Sequence, residues 1–248
     1  MCPSDPAETT RMRQYPYRRL VARLLYISIS TRFDITHAVS VLTRYQSNPG
    51  MAHWTAAKHV LRYLRHMPML GITLGGKEVP VLTAYADASY ASCEETGRST
   101  TGFLFKFGAG VVSCHTSLQA KHAVALSSFG AEYYALSDTC IHNIWIRSLT
   151  AEIGYPSTGP TTVFQDNQST ISFCNNNVRT ARSRHLVVRE LSIHEQIHRF
   201  KNIILEFLKG ADMPADLLTK GLARPLFEYL LTFFNMSKPS LVSGVVSS

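Results

Sequence analysis

No uninterrupted apolar run in this sequence approaches the roughly twenty residues needed to cross a bilayer. The longest candidate, Leu226-Phe227-Glu228-Tyr229-Leu230-Leu231-Thr232-Phe233-Phe234, is short and broken by a glutamate, so no membrane span is expected. Cysteine is scarce: five residues, an odd number with no Cys-x-x-Cys pair, which argues against a disulfide framework and fits reduced thiols. The opening residues Met1-Cys2-Pro3-Ser4-Asp5-Pro6-Ala7-Glu8 lack the apolar stretch of a secretory signal. The expected location is therefore intracellular, cytoplasmic or nuclear. Acidic residues are few where basic ones gather: residues 1–70 hold ten Lys/Arg against three Asp/Glu, and the remainder hold fifteen against fourteen.

That imbalance gives a formal net charge of +8 and points to a polyanionic partner meeting the N-terminal region through phosphate contacts. The alternative is a solvated helix face with surplus arginine. With 248 residues, 45% of them hydrophobic, the chain can build a packed core in one large or two modest domains. Leu20, Val21, Leu24 and Leu25 recur at helical spacing within residues 17–28. Asp34 is a candidate cap for a second helix through Tyr45, and Asn48-Pro49-Gly50 breaks the chain before a third over about 52–66.

From Val79 the texture changes. Val81–Ala86, Thr101–Phe107 and Gly110–Cys114 read as an antiparallel meander, with Gly108 as a hairpin signal. Ser127 and Ser128 can cap a long helix from about Gly130 to Glu152. Thr161–Gln165 reads as a strand running into Asp166, a candidate cap of the next helix. Residues 184–199 suggest another helix, Ile203–Leu208 a strand and Pro214–Thr219 a last helix. The order β-β-β-α-β-α-α-β-α implies a mixed sheet with helices against it. Residues 1–14 and most of 226–248, the latter ending in a serine-rich stretch without periodicity, are expected to be disordered.

Four acids fall where elements end: Asp87 after the first strand, Glu132 in the first turn of the long helix, Asp166 after a later strand and Asp216 in the last helix. Ends of strands and starts of helices are where α/β folds display chemistry. Four carboxylates brought together would repel, so they would stay ionised only around a cation, and hard oxygen ligands select Mg²⁺, or Mn²⁺ in its place. Two such ions about 4 Å apart can activate water and stabilise a leaving oxygen in phosphoryl transfer. The bland reading of each acid is local: turn or cap for Asp87 and Asp166, helix-dipole partner for Glu132, solvated position for Asp216.

The residues around those acids occur in one order: Tyr85-Ala86-Asp87-Ala88-Ser89, Gly97-Arg98-Ser99-Thr100-Thr101-Gly102, Ala125-Leu126-Ser127-Ser128 with Ala131-Glu132-Tyr133, Asp166-Asn167-Gln168-Ser169, and Ala215-Asp216-Leu217-Leu218-Thr219-Lys220. Together they resemble the RNase H region of Ty1/copia-type retrotransposon Pol polyproteins. Pro16-Tyr17-Arg18-Arg19-Leu20, Thr31-Arg32-Phe33-Asp34-Ile35, Ser47-Asn48-Pro49 and Val60-Leu61-Arg62-Tyr63-Leu64-Arg65 extend the resemblance into the segment linking reverse transcriptase to RNase H. It covers about residues 15–225, dividing them into a helical connection-like segment, 15–75, and an RNase H-like domain, 76–225.

The resemblance implies an RNase H-like α/β fold with a five-stranded mixed sheet and flanking helices. It further implies Asp87, Glu132, Asp166 and Asp216 as catalytic metal ligands, and an RNA–DNA hybrid as the substrate, cut in its RNA strand. A reverse transcriptase domain supplied by another chain is an implied partner, since this sequence has no Tyr-x-Asp-Asp motif. It departs from the family at Ser89 and Gly130, where acids are frequent, at Cys114, where tryptophan is usual, and after Arg189. Those departures keep open the alternative of an inactive remnant that binds nucleic acid.

Candidate nucleic-acid contacts are Ser128, Asn167, Gln168, Arg182, Arg184 and His185, the last three within a basic run that includes Arg179 and Arg189. For Asn167 and Gln168 the competing role is helix capping. His194-Glu195-Gln196-Ile197-His198 matches the His-Glu-x-x-His zinc-protease pattern, but no third ligand follows it.

Overall fold

The computed structural model describes residues 2, 5–75, 80–120, 125, 127–176 and 187–237. Its N-terminal part is helical: α1 (Pro6–Met12), α2 (Tyr17–Ser30), α3 (Thr36–Thr43) and α4 (Met51–His66), with a 3-10 turn at Phe33–Ile35 before α3. Tyr17, Val21, Leu24 and Ser28 recur at three- and four-residue intervals and form the buried face of α2. That face packs with Ile35, Val39, Leu42, Ala57 and Val60 in one apolar cluster. The Tyr17 hydroxyl, buried with it, donates to the Leu42 carbonyl at 2.8 Å.

The five-stranded mixed sheet implied by the resemblance is present. Its strands are β2 (Leu82–Ser89), β3 (Thr100–Phe107), β4 (Gly110–Leu118), β5 (Thr161–Gln165) and β6 (Ile203–Phe207), in the order β4-β3-β2-β5-β6. β4, β3 and β2 are antiparallel neighbours, whereas β5 runs parallel to both β2 and β6. Gly108, at φ +62°, supplies the left-handed backbone of the tight β3–β4 turn.

The long helix α5 (Ser128–Glu152) covers one sheet face, where Ala84, Ala86 and Ala88 meet Ala131, Tyr134 and Ala135 within a shared core. The small alanines let helix and sheet approach closely. Strand periodicity turns the intervening Tyr85 and Asp87 to the other face, on which a second core assembles from Leu104, Leu217, Leu218, Leu230, Phe234 and Phe33. Phe33 belongs to the N-terminal helical segment, which therefore shares a core with the sheet. Helices α6 (Gln168–Asn176), α7 (Val187–His194), α8 (Asp216–Thr219) and α9 (Arg224–Leu231) complete the described chain, and a short β1 (Gly71–Ile72) pairs with β7 (Met236–Ser237).

Four local expectations need correction. Residues 1–14 are not uniformly disordered, because Asp5 accepts from the Ala7 amide at 2.8 Å and caps α1, whose Met12 is buried. The segment from 226 likewise enters the second core through Leu230, Leu231 and Phe234, while 238–248 lie outside the described residues. Asp34 does not cap a helix: its carboxylate is buried against Arg32, at 2.7 Å from Nη2. The cap after β5 is Asn167, which accepts from the Thr170 amide at 3.0 Å, rather than Asp166. No helix among the described residues is long and apolar enough to cross a membrane.

Gly102 pairs across the sheet with Asp87 and lies under α8. A Cβ there would sit 2.5 Å from Thr219 Cγ2 and 2.9 Å from Leu218 Cβ, so only glycine permits this approach. The expected effect of Gly102→Ala is a loss of about 1–3 kcal/mol in unfolding free energy, typical of overpacking. Denaturant titration checks it, and an unchanged midpoint would contradict the tight packing of α8.

Candidate active site

The parallel pair β2 and β5 sends its carboxyl ends in one direction, and each delivers an acid: Asp87 near the end of β2 and Asp166 just beyond β5. Glu132, the fifth residue of α5 and so past the first turn in which the sequence suggests it, meets them from the helix side. One carboxylate oxygen from each of Asp87, Glu132 and Asp166 lies within 4.8 Å of the others, and Asp87 and Glu132 are buried. Asp216, the first residue of α8, is linked to this group by Lys220, whose Nζ lies 2.6 Å from Asp216 Oδ1 and 3.4 Å from Asp87. The four acids expected from the sequence therefore share one region of the fold, three in direct convergence and one across an ammonium.

Three further side chains, to which no role attached in the sequence, hold the acids. Gln165, fully buried as the last residue of β5, donates from Nε2 to Glu132 Oε2 at 3.2 Å. The Thr219 hydroxyl donates to Asp87 Oδ2. Lys220 is the third, and its signal was available: it stands four residues after Asp216, the spacing that pairs charges on one helix face. Gln165 and Thr219 carried no comparable signal, because their partners come from distant parts of the chain.

The electrostatics follow from burial and like charge. Burial, then repulsion from Asp87 and Asp166, push the Glu132 carboxyl up to about 9, against the smaller opposing effects of Lys220 and Gln165. Asp216 is pushed up to about 7 by burial and by Asp87, despite its ion pair with Lys220. Asp166 is raised by burial and then by Asp87. For Lys220, burial works against the charged form, but Asp87 and Asp216 outweigh it and hold the ammonium above its ordinary value. A cluster of buried oxygen ligands that resists ionisation fits a divalent hard cation, which would supply the missing positive charge.

The remaining candidates divide. Ser128 and Gln168 are exposed at the first residues of α5 and α6, while Ser127, not Ser128, accepts from the Gly130 amide as the α5 cap. Asn167 is occupied as the α6 cap. Arg179, Arg182, Arg184 and His185 lie outside the described residues. Arg189 is engaged within the protein, ion-paired to Asp138 at 2.6 Å and lying over the Tyr134 ring.

The His-Glu-x-x-His pattern does not make a metal site. His198 Nε2 is 2.9 Å from the Cys174 carbonyl, and Glu195 pairs with Arg199 at 2.9 Å. The backbone over Glu195–Arg199 is a π-helical turn, and the His194 and His198 rings lie against each other with centroids 4.1 Å apart. Among the described residues, the group able to hold a metal is Asp87, Glu132 and Asp166.

No family model matches the chain. It is 37% identical over 228 residues to the retrovirus-related Pol polyprotein from transposon TNT 1-94 of Nicotiana tabacum, covering 92% of this chain and 17% of that protein. It is also 38% identical over 139 residues to secreted RxLR effector protein 161 of Plasmopara viticola, covering 56% of this chain and 96% of that protein. Among solved structures, LC11-RNase H1, isolated from compost, aligns with 61% of this chain and 99% of its own at a TM-score of 0.44 and 14% identity. The chain belongs to the Ty1/copia type of retrovirus-related Pol polyproteins, and it spans 14–17% of the length of the Pol relatives it matches.

The raised carboxyl of Glu132 sets a pH dependence. In metal-free protein the native state holds a proton that the unfolded chain has released, so stability falls as pH rises from the ordinary carboxylate range toward about 9. Between pH 6.5 and 8.5, the melting temperature is expected to drop without metal, to drop less in Glu132→Gln, and to recover with Mg²⁺, more at the alkaline end. Equal slopes for the two proteins in a thermal melt would place Glu132 outside a coupled acidic cluster.

Proposed function

We propose that the chain is an RNase H-type endonuclease that hydrolyses the RNA strand of RNA–DNA hybrids, as one part of a copia-type Pol polyprotein. Asp87, Glu132, Asp166 and Asp216 would hold Mg²⁺, with Mn²⁺ as a substitute. The observation that carries the reading is the convergence of Asp87, Glu132 and Asp166 within 4.8 Å, with Asp216 joined through Lys220. These donors are all oxygen, and no histidine or cysteine stands among them to favour zinc. Bound there, the divalent cations supply Lewis acidity for in-line displacement at phosphorus.

The protein's own part is positioning and charge. Gln165 fixes one oxygen of Glu132, and Thr219 fixes one oxygen of Asp87, so each acid presents its other oxygen in a set direction. Lys220 moderates the repulsion between Asp87 and Asp216. Exposed arginines of the N-terminal helices, including Arg18, Arg19, Arg62 and Arg65, suit phosphate contact with a duplex read by shape. A reverse transcriptase domain is the proposed partner that would supply hybrids.

The test is cleavage of an end-labelled RNA–DNA hybrid by purified protein. Cutting is expected with Mg²⁺ or Mn²⁺ and not with chelator, and Asp87→Asn and Glu132→Gln are each expected to lower the rate at least ~100-fold, as loss of metal-centred charge stabilisation would. A folded protein that binds the hybrid but leaves it intact in both metals would make the chain a non-catalytic nucleic-acid binder.

A further inference from the structure

Immediately beside the carboxylates lies a cavity of about 720 Å³, whose lining includes Thr219 and Lys220 from the site and Arg44 from the N-terminal helical segment. We propose that Arg44, with Lys220 and the hydroxyls of Ser92 and Thr100, forms a phosphate subsite for a phosphodiester flanking the one that is cut. This rests on the reading above that the chain binds RNA–DNA hybrids.

Arg44 is the residue that closes α3, and its guanidinium is poorly satisfied. Its Nε is buried without a hydrogen-bond partner, and its Nη2 makes only a long 3.5 Å contact to Thr100 Oγ1. Among the described residues it forms no ion pair. Arg44 is half-buried, and a buried donor such as its Nε costs free energy unless an acceptor arrives; a phosphate oxygen pair matches the fork of donors on a guanidinium.

The surroundings support the same ligand. Ser92 Oγ and Thr100 Oγ1 lie 2.7 Å apart, and Thr100 pairs across the sheet with Ser89, two residues beyond Asp87. His37, two helical turns before Arg44, lines the same cavity, and its Nδ1 is also buried without a partner. Glu94 and Glu95 line the cavity too, but both are exposed, so water and salt screen them while the Arg44 Nε stays buried. The subsite would make the N-terminal helices part of the substrate surface rather than a mere support.

The test measures binding of a fluorescent RNA–DNA hybrid across a salt series in metal-free buffer, where no cutting is expected. Arg44→Ala should weaken binding about tenfold and reduce the slope of log affinity against log salt by about 0.9, one phosphate contact's worth. Arg44→Lys should keep the slope while regaining part of the affinity. A folded Arg44→Ala protein with wild-type affinity and slope overturns the subsite. If Arg44→Ala does not fold, Arg44→Gln carries the same comparison with the same two readings. Loss of cleavage with binding and the Arg44 effect intact would count against the nuclease alone, whereas wild-type protein that binds no hybrid overturns the subsite as well.

Discussion

Mutual repulsion among carboxylates that the fold forces together is the constraint on which the rest of this structure depends. Asp87 and Glu132 are buried with Asp166 alongside, and the sheet and α5 leave them no room to separate. The protein answers with the Lys220 ammonium and the Gln165 and Thr219 donors. Even so, Glu132 is left with a carboxyl pushed up to about 9. Such an arrangement is costly for stability unless further positive charge compensates it.

Packing serves that arrangement. The alanines of β2 let α5 lie close enough for Glu132 to reach the end of the strand, and Gly102 lets α8 lie close enough for Thr219 to reach Asp87. The N-terminal helices are tied to the same architecture. Phe33 enters the core behind β3 and β4, and the buried Arg32 joins Asp34 to the Met67 carbonyl at the end of α4. A division between a helical segment, 15–75, and a sheet domain, 76–225, therefore describes the sequence better than it describes the core.

Much of this was legible in advance. The alternation of β2, the hairpin glycine at 108 and the long helix after Ser127 are local signals, and local physics set them: side-chain period, backbone freedom and capping. The strand Thr161–Gln165 agrees with its expected bounds. The errors also have local causes. Asp34 and Asp166 are good capping residues by type, but Asp34 found a buried arginine and Asp166 turned toward the other acids, leaving Asn167 to cap. The ordered ends escaped notice because their burial depends on surfaces supplied by other segments, as with Met12 and Phe234.

The sequence by itself determined most of the elements between the two ends, which four acids stand near where they meet, and, through the order of its motifs, the family to which the chain belongs. Tertiary structure alone decided which of those acids converge, since parallel pairing of β2 with β5 joins residues some eighty positions apart and no local pattern encodes that pairing. It also decided that Gln165, Thr219 and Lys220 support the acids, that His198 is spent on a carbonyl, and that Arg44 reaches the cavity beside Asp87. Composition sets what a side chain can do. Its neighbours, fixed only when the sheet and helices pack, set which of those roles it takes.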